Sequence, residues 1–175
     1  MTPYSIHLRE PLIEGEHFRR LSVCEGGGHY RSELLKDVVF VHPHFVLPLA
    51  HLVSFRDGGG REWMAMTCRG QTIRKGYWWN GNSPKRGIKL FGKDRWFGTP
   101  DFAGTIAASL KHDADFQFHH CPHYPFSLAQ ANDHYRQICD SANFRLTHTF
   151  HGALADFSRK LWDAPDTSGC HSILL

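Results

Sequence analysis

The chain changes its hydrophobic rhythm once along its length. Up to about residue 79 the apolar residues come in short runs broken by glycine-rich segments, and after residue 101 they recur every three or four positions. Short apolar runs between turn signals read as strands, and a period near 3.6 reads as amphipathic helix. A chain that passes from one pattern to the other a single time is confined to a segregated α+β fold. The expected layout is one domain: antiparallel strands over 1–79, a long Gly/Pro-rich loop over 80–101, three packed helices over 102–163 and a loose tail over 164–175. A length of 175 residues fits one domain.

Within this frame, Val38–Val41 is a strand candidate, and Leu49–Phe55 and Glu62–Cys68 flank Asp57-Gly58-Gly59-Gly60. Glycine supplies the positive φ angles that a hairpin turn needs, so this pair reads as a hairpin, with Gln71–Trp79 continuing it. Asp101 can cap a first helix running to about His119, with Phe102, Ile106, Leu110 and Asp113 on one stripe. Ser127-Leu128-Ala129-Gln130 has the capping-box form and opens a second helix to about Ala142, whose core stripe is Leu128, Ala131, Tyr135 and Ile138. A third helix carries Leu146, Phe150, Leu154, Phe157 and Leu161.

Several function classes recede on composition. No apolar run approaches the ~20 residues that a membrane-spanning helix needs, and the start, MTPYSIHLRE, lacks a signal-peptide core. Cytoplasmic residence is therefore expected. Five widely spaced cysteines, an odd number with no C-x-x-C pair, read as free thiols. Basic residues from Lys85 to Lys93 lie near Tyr77, Trp78, Trp79 and Trp96, a mixture able to hold single strands. A balance of 20 basic against 17 acidic residues makes a nucleic-acid partner an unfavoured reading, and a solvated loop explains the cluster.

Fourteen histidines are the compositional oddity. His112-Asp113 carries the chemistry of greatest interest, because Asp113 falls on the apolar stripe of its helix and a buried carboxylate must be paired, hydrogen-bonded or metal-bound. An imidazole and a carboxylate opposite a glycine-rich loop would suit a general base or a cation site. The plainer alternative is an aspartate bonded to a strand or loop amide, with His112 half exposed. His119-His120-Cys121-Pro122-His123 has zinc-ligand chemistry without a standard finger spacing, and a His-rich helix connection is the better reading. Ser83, in Gly81-Asn82-Ser83-Pro84, lacks the G-x-S-x-G elbow of a nucleophile and is equally a turn residue.

Four pieces taken in order carry a family likeness: Lys75-Gly76-Tyr77-Trp78-Trp79-Asn80-Gly81-Asn82-Ser83-Pro84, Gly98-Thr99-Pro100-Asp101, Leu110-Lys111-His112-Asp113-Ala114-Asp115-Phe116 and Ala131-Asn132-Asp133-His134-Tyr135. The sequence resembles the phage and prophage proteins grouped as domain of unknown function 1353, whose members run from a Gly-Phe-x-x-Asp-Gly-Ala-Ser-x-Pro loop to a His-Asp-x-x-Tyr helix and an Ala-Asp pair. The likeness spans roughly Gln71 to Trp162. Asn80 stands where the family loop has aspartate, and Phe116 stands where its helix has tyrosine. The resemblance implies a phage or prophage origin and brings Ser83, His112, Asp113 and Asp133 together as a polar cluster.

Two functional expectations follow. In the first, a hydrolase, His112 deprotonates water while Asp113 and Asp133 orient it or hold a divalent cation, Asn80 adds its carbonyl oxygen, and Ser83 binds the polarised group. Its substrate would be a small molecule or a cell-envelope component. In the second, a non-enzymatic accessory or virion-associated protein meets a host or virion protein through the tryptophan-rich segment Tyr77–Trp96, and the polar cluster only pins that segment to the helices.

Overall fold

The computed structural model describes residues 6–27, 29–44, 46–81, 85–90, 93–98, 101–166 and 169–175, with the backbone alone for 85–90, 94–98 and 156–157. The described residues form eleven strands: β1 (His7–Leu8), β2 (Phe18–Arg20), β3 (Ser32–Leu34), β4 (Val38–Val41), β5 (Val53–Arg56), β6 (Glu62–Met66), β7 (Gly70–Ile73), β8 (Trp78–Trp79), β9 (Lys85–Leu90), β10 (Lys93–Gly98) and β11 (His171–Leu174). A 3-10 turn at Ala103–Thr105 leads into α1 (Ile106–Phe118), followed by α2 (Leu128–Ser141) and α3 (Thr147–Trp162). The antiparallel strands precede the helices except for β11, so the α+β assignment holds.

The strands form three sheets: six strands in the order β1-β4-β7-β6-β5-β11, three in the order β2-β3-β8, and the two-stranded hairpin β9-β10. The β5–β6 hairpin forms where Asp57 and its glycines predict it. Asp57 Oδ1 accepts the Gly59 and Arg61 amides at 2.9 and 3.0 Å, Oδ2 takes the Trp63 indole N–H at 2.7 Å, and Gly60 supplies φ +83°. The expected single strand over Gln71–Trp79 is instead divided. Gly76, at φ +84°, turns the chain after β7, and β8 pairs with β3 in the second sheet.

One face of the large sheet carries the core. Phe40, Phe55, Met64 and Ile73 are fully buried, together with Leu110, Ala114 and Phe118 of α1. The Phe55 ring meets Phe118 at 5.8 Å and Tyr124 at 6.2 Å. The expected α2 stripe of Leu128, Ala131, Tyr135 and Ile138 is buried, and its capping box is formed, with Ser127 N–H donating to Gln130 Oε1 at 2.9 Å. On α3 Phe150 and Leu154 of the expected stripe are half buried, Leu146 and Leu161 lie exposed at its two ends, and the Phe157 side chain lies outside the described residues.

Three expectations are corrected. The 80–101 segment is not a loop throughout: β9 and β10 pair in register from Lys85↔Gly98 to Leu90↔Lys93. The ladder runs through Gly87 and ends at Gly98 without a break in register. The 164–175 tail is not loose, because β11 pairs with β5 from His171↔Arg56 to Leu174↔Val53. Asp101 does not cap a helix; α1 begins at Ile106 after a 3-10 turn in which the Thr105 hydroxyl accepts the Phe102 amide at 3.2 Å.

Candidate functional site

The turn that opens the β9–β10 hairpin is held between two carboxylates. Asp113, near the middle of α1, accepts the Asn80 amide on Oδ2 at 3.2 Å. Asp101 closes the other side: an alanine Cβ at Gly81 would collide with its carboxylate, and Gly81 itself is at φ +80°. Only glycine combines that backbone with that contact. Arg20 from β2 reaches Asp101 Oδ2 at 3.4 Å and Arg31 lies 3.9 Å away, so this buried acid also ties the second sheet to the start of the helical region. The buried Tyr135 hydroxyl is held above the ordinary phenol range, first by burial, then by Cys139, with smaller contributions from the Asp113 and Asp101 charges. Asp113 is thus the amide-bonded aspartate of the plainer sequence reading.

His112 and Asp113 do not work as a facing pair. His112 is buried at 7% exposure, contrary to the half-exposed imidazole of that same reading, and lies against α2 with Nε2 at 2.9 Å from Asn132 Oδ1. Asn132 in turn donates from Nδ2 to Ser158 Oγ of α3 at 3.1 Å, while the Ser158 hydroxyl donates to Ala155 O. That relay sets the amide orientation, so His112 Nε2 is the protonated nitrogen and donates to Asn132. Burial pushes His112 down to about 4, against smaller upward effects from Asn132 and Asp115, and the imidazole is neutral at pH 7.

Asp133, expected to join them, is half exposed and committed elsewhere on α2. Its Oδ1 accepts from Arg136 at 2.6 Å, and its Oδ2 from Gln137 at 2.6 Å. Asn80 contributes its backbone N–H to Asp113. Ser83 lies outside the described residues. Among the described residues no three His, Cys, Asp or Glu side chains group as metal ligands, so the set Asp113, Asp133 and Asn80 is not gathered into a cation site there. The His-rich segment serves α3: His119 Nε2 lies 2.7 Å from Trp162 O and His120 Nε2 2.9 Å from Ala164 O, where helix-terminal carbonyls lack intrahelical donors.

The sequence reading missed a buried polar cluster one helical face away. Lys111 and Asp115 are both fully buried and their ion pair measures 2.5 Å. Gln71 of β7 donates to Asp115 Oδ1 at 3.1 Å, and Lys111 Nζ lies 3.3 Å from His134 Nδ1. His42 stacks on Phe126 at 5.1 Å and meets His134 edge-on at 5.2 Å. Burial lowers the Lys111 pKa against the upward pull of Asp115. Burial, then the Lys111 charge, pushes His42 to about 3 and His134 to about 2. At i and i+4, Lys111 and Asp115 look like a solvated ion pair. The available signal is that Ala108, Lys111, Asp115 and Phe118 form a continuous stripe.

No protein-family model, curated protein or solved structure matches this chain. No helix among the described residues is long and apolar enough to cross a membrane.

Proposed function

We propose that this protein is a non-enzymatic binding protein, a phage accessory or virion-associated factor, whose contact element is the β9–β10 hairpin. The observation that carries this reading is the grip on Asn80 and Gly81 by Asp113 and Asp101. It fixes the base of a hairpin whose strands hydrogen-bond to each other and to neither other sheet. A hairpin held at its base is a pre-organised element, which lowers the ordering cost of binding. Its strands carry Lys85, Arg86, Lys89, Lys93 and Arg95 against the single acid Asp94, with Trp96 and Phe97 among them. An acidic host or virion protein is the partner this chemistry fits.

Binding should fall steeply with added salt and be abolished by the triple change Lys85→Glu, Arg86→Glu, Lys89→Glu in co-purification from host or virion extract. Recovery of the same partners by the triple variant would sink the reading. Asp113→Ala, which frees the turn, should weaken binding, whereas Asp113→Asn keeps an acceptor for the Asn80 amide and should retain it.

The hydrolase reading keeps one specific support. Because Asn132 fixes the proton on Nε2, Nδ1 is the basic nitrogen of a neutral His112, as a general base requires. Under that reading Asp113→Asn abolishes ester or phosphodiester cleavage without unfolding the protein, so the same variant separates the two. A divalent cation held by Asp113 with Asn80 belongs to this reading and would show as calcium- or manganese-dependent thermal stabilisation lost in Asp113→Asn.

A further inference from the structure

The large sheet ends in two unlike edges. β1 is two residues long and is followed by Arg9 and Glu10, which blunts it against further pairing. β11 is four residues long, and the run His171-Ser172-Ile173-Leu174-Leu175 contains no lysine, arginine, aspartate, glutamate or proline. The run thus lacks the charges and proline that usually protect an exposed edge, and Ser172 is tied on the helix side by its hydroxyl, which donates to Pro122 O.

The backbone geometry shows which groups are open. The Leu175 amide donates to Leu52 O at 2.8 Å, and these residues lie opposite each other in the β5–β11 register. Hydrogen-bonded pairs alternate along an antiparallel ladder, so Ile173↔Ser54 and His171↔Arg56 are the other bonded pairs. The N–H and C=O groups of Ser172 and Leu174 therefore point away from β5, and no described strand lies beyond β11. Two outward-facing residues separated by one inward-facing residue match their own copy: in an antiparallel pair centred on Ile173, each Ser172 falls opposite the partner's Leu174.

Side chains support the same edge. The sheet face turned from the helices is charged around β5 and β6, where Arg74 meets Glu62 at 2.6 Å and Arg56 donates to Ser54 at 3.1 Å. At the β11 border it becomes apolar, with Leu52, Ile173 and Leu175 exposed at 37%, 38% and 62%. Opposite residues of a ladder share a face, as do alternate residues of one strand, so these three form one patch.

We propose that β11 is a dimerisation edge, at which two copies of this chain join their six-stranded sheets antiparallel about a twofold axis through Ile173. The pairing adds four main-chain hydrogen bonds, covers Ile173 with its counterpart, places Leu175 opposite the other copy's His171 and brings no like charges together. It is isologous, using the same edge on both copies, and closes at two copies. The contact is small, so association is expected at micromolar rather than nanomolar concentrations.

Sedimentation velocity from about 1 to about 200 µM tests this over a range where a micromolar dimer dissociates. The wild type should pass from monomer to dimer. Leu174→Pro removes only an outward-facing N–H and spares the β5 ladder, and Ile173→Lys places like charges face to face at the axis. Each should weaken the dimer at least tenfold with the thermal midpoint little changed. A wild type that stays monomeric throughout, or a dimer that Ile173→Lys leaves intact, overturns the proposal. Should Leu174→Pro fail to fold, Ile173→Lys decides alone.

Discussion

Asn132 ties the three helices together, because its side-chain amide connects His112 of α1 to Ser158 of α3. Asn132→Ala leaves the buried His112 N–H without an acceptor, and a buried unpaired donor costs about 1–3 kcal/mol. Urea unfolding should show a loss in that range, and a variant as stable as wild type would mean that His112 finds another partner. Asn132→Asp acts differently. A carboxylate beside the imidazole favours its charged form, so the His112 pKa should rise from about 4 in an NMR titration. The sequence singled out His112 and Asp113 as residues needing an explanation and grouped them with Asp133 in one polar cluster. Neighbours in a helix point about 100° apart, so adjacent residues serve different neighbours: α2 for His112, the turn at Asn80 for Asp113.

At the scale of elements, legibility followed how many sides of an element are covered. The buried residues of α2 occupy one face, and its stripe and cap were readable from the sequence. Its N-terminus should respond accordingly: Ser127→Ala loses the acceptor for the Gln130 amide and should cost about 1 kcal/mol, seen as a lowered urea midpoint with unchanged slope. An unshifted midpoint would show that the cap adds nothing. α1 lies between the sheet and α2 and buries Ile106, Ala108, Ser109, Leu110, Lys111, His112, Ala114, Asp115 and Phe118, residues on nearly all its sides. A helix covered on most sides has no single apolar stripe, so periodicity selected one face and passed over Lys111 and Asp115. The short strands β1, β2, β3 and β11 were illegible for a related reason, and β8 was read only as the end of a longer strand over Gln71–Trp79. Two to four residues give too little alternation to register, and their existence depends on a partner strand supplied by the fold.

The whole molecule keeps three imidazoles neutral inside it: His42, His112 and His134, at about 3, 4 and 2 against about 6.5 in an unfolded chain. Their folded values are lowered, so between those values and pH 6.5 the unfolded state binds more protons than the folded one. Stability is then fully present above about pH 6.5 and is lost progressively as pH falls toward the folded values. Each histidine contributes up to about 1.4 kcal/mol per pH unit in that interval. Urea unfolding at pH values from 7.5 to 4.5 should give a steep decline that starts above the carboxylate range. A flat profile down to pH 5 would show that these rings protonate within the folded protein. Groups facing His42 include Lys111, His134 and Gln71, so its protonation would set two cations together in the core.

The amino-acid sequence by itself determined the class of fold, the β5–β6 hairpin, the limits and cap of α2, and the fact that His112 and Asp113 sit where polar groups need partners. Those features rest on local physics: turn chemistry at Asp57 to Gly60, capping at Ser127, and the 3.6-residue repeat. Tertiary structure alone decided the partners. It joined β11 to β5, placed Lys111 and Asp115 in the interior, sent His112 to Asn132, and set Asp101 and Asp113 on either side of Gly81. Each of these contacts links residues far apart in the chain, and their free energy depends on which surfaces the completed fold removes from water.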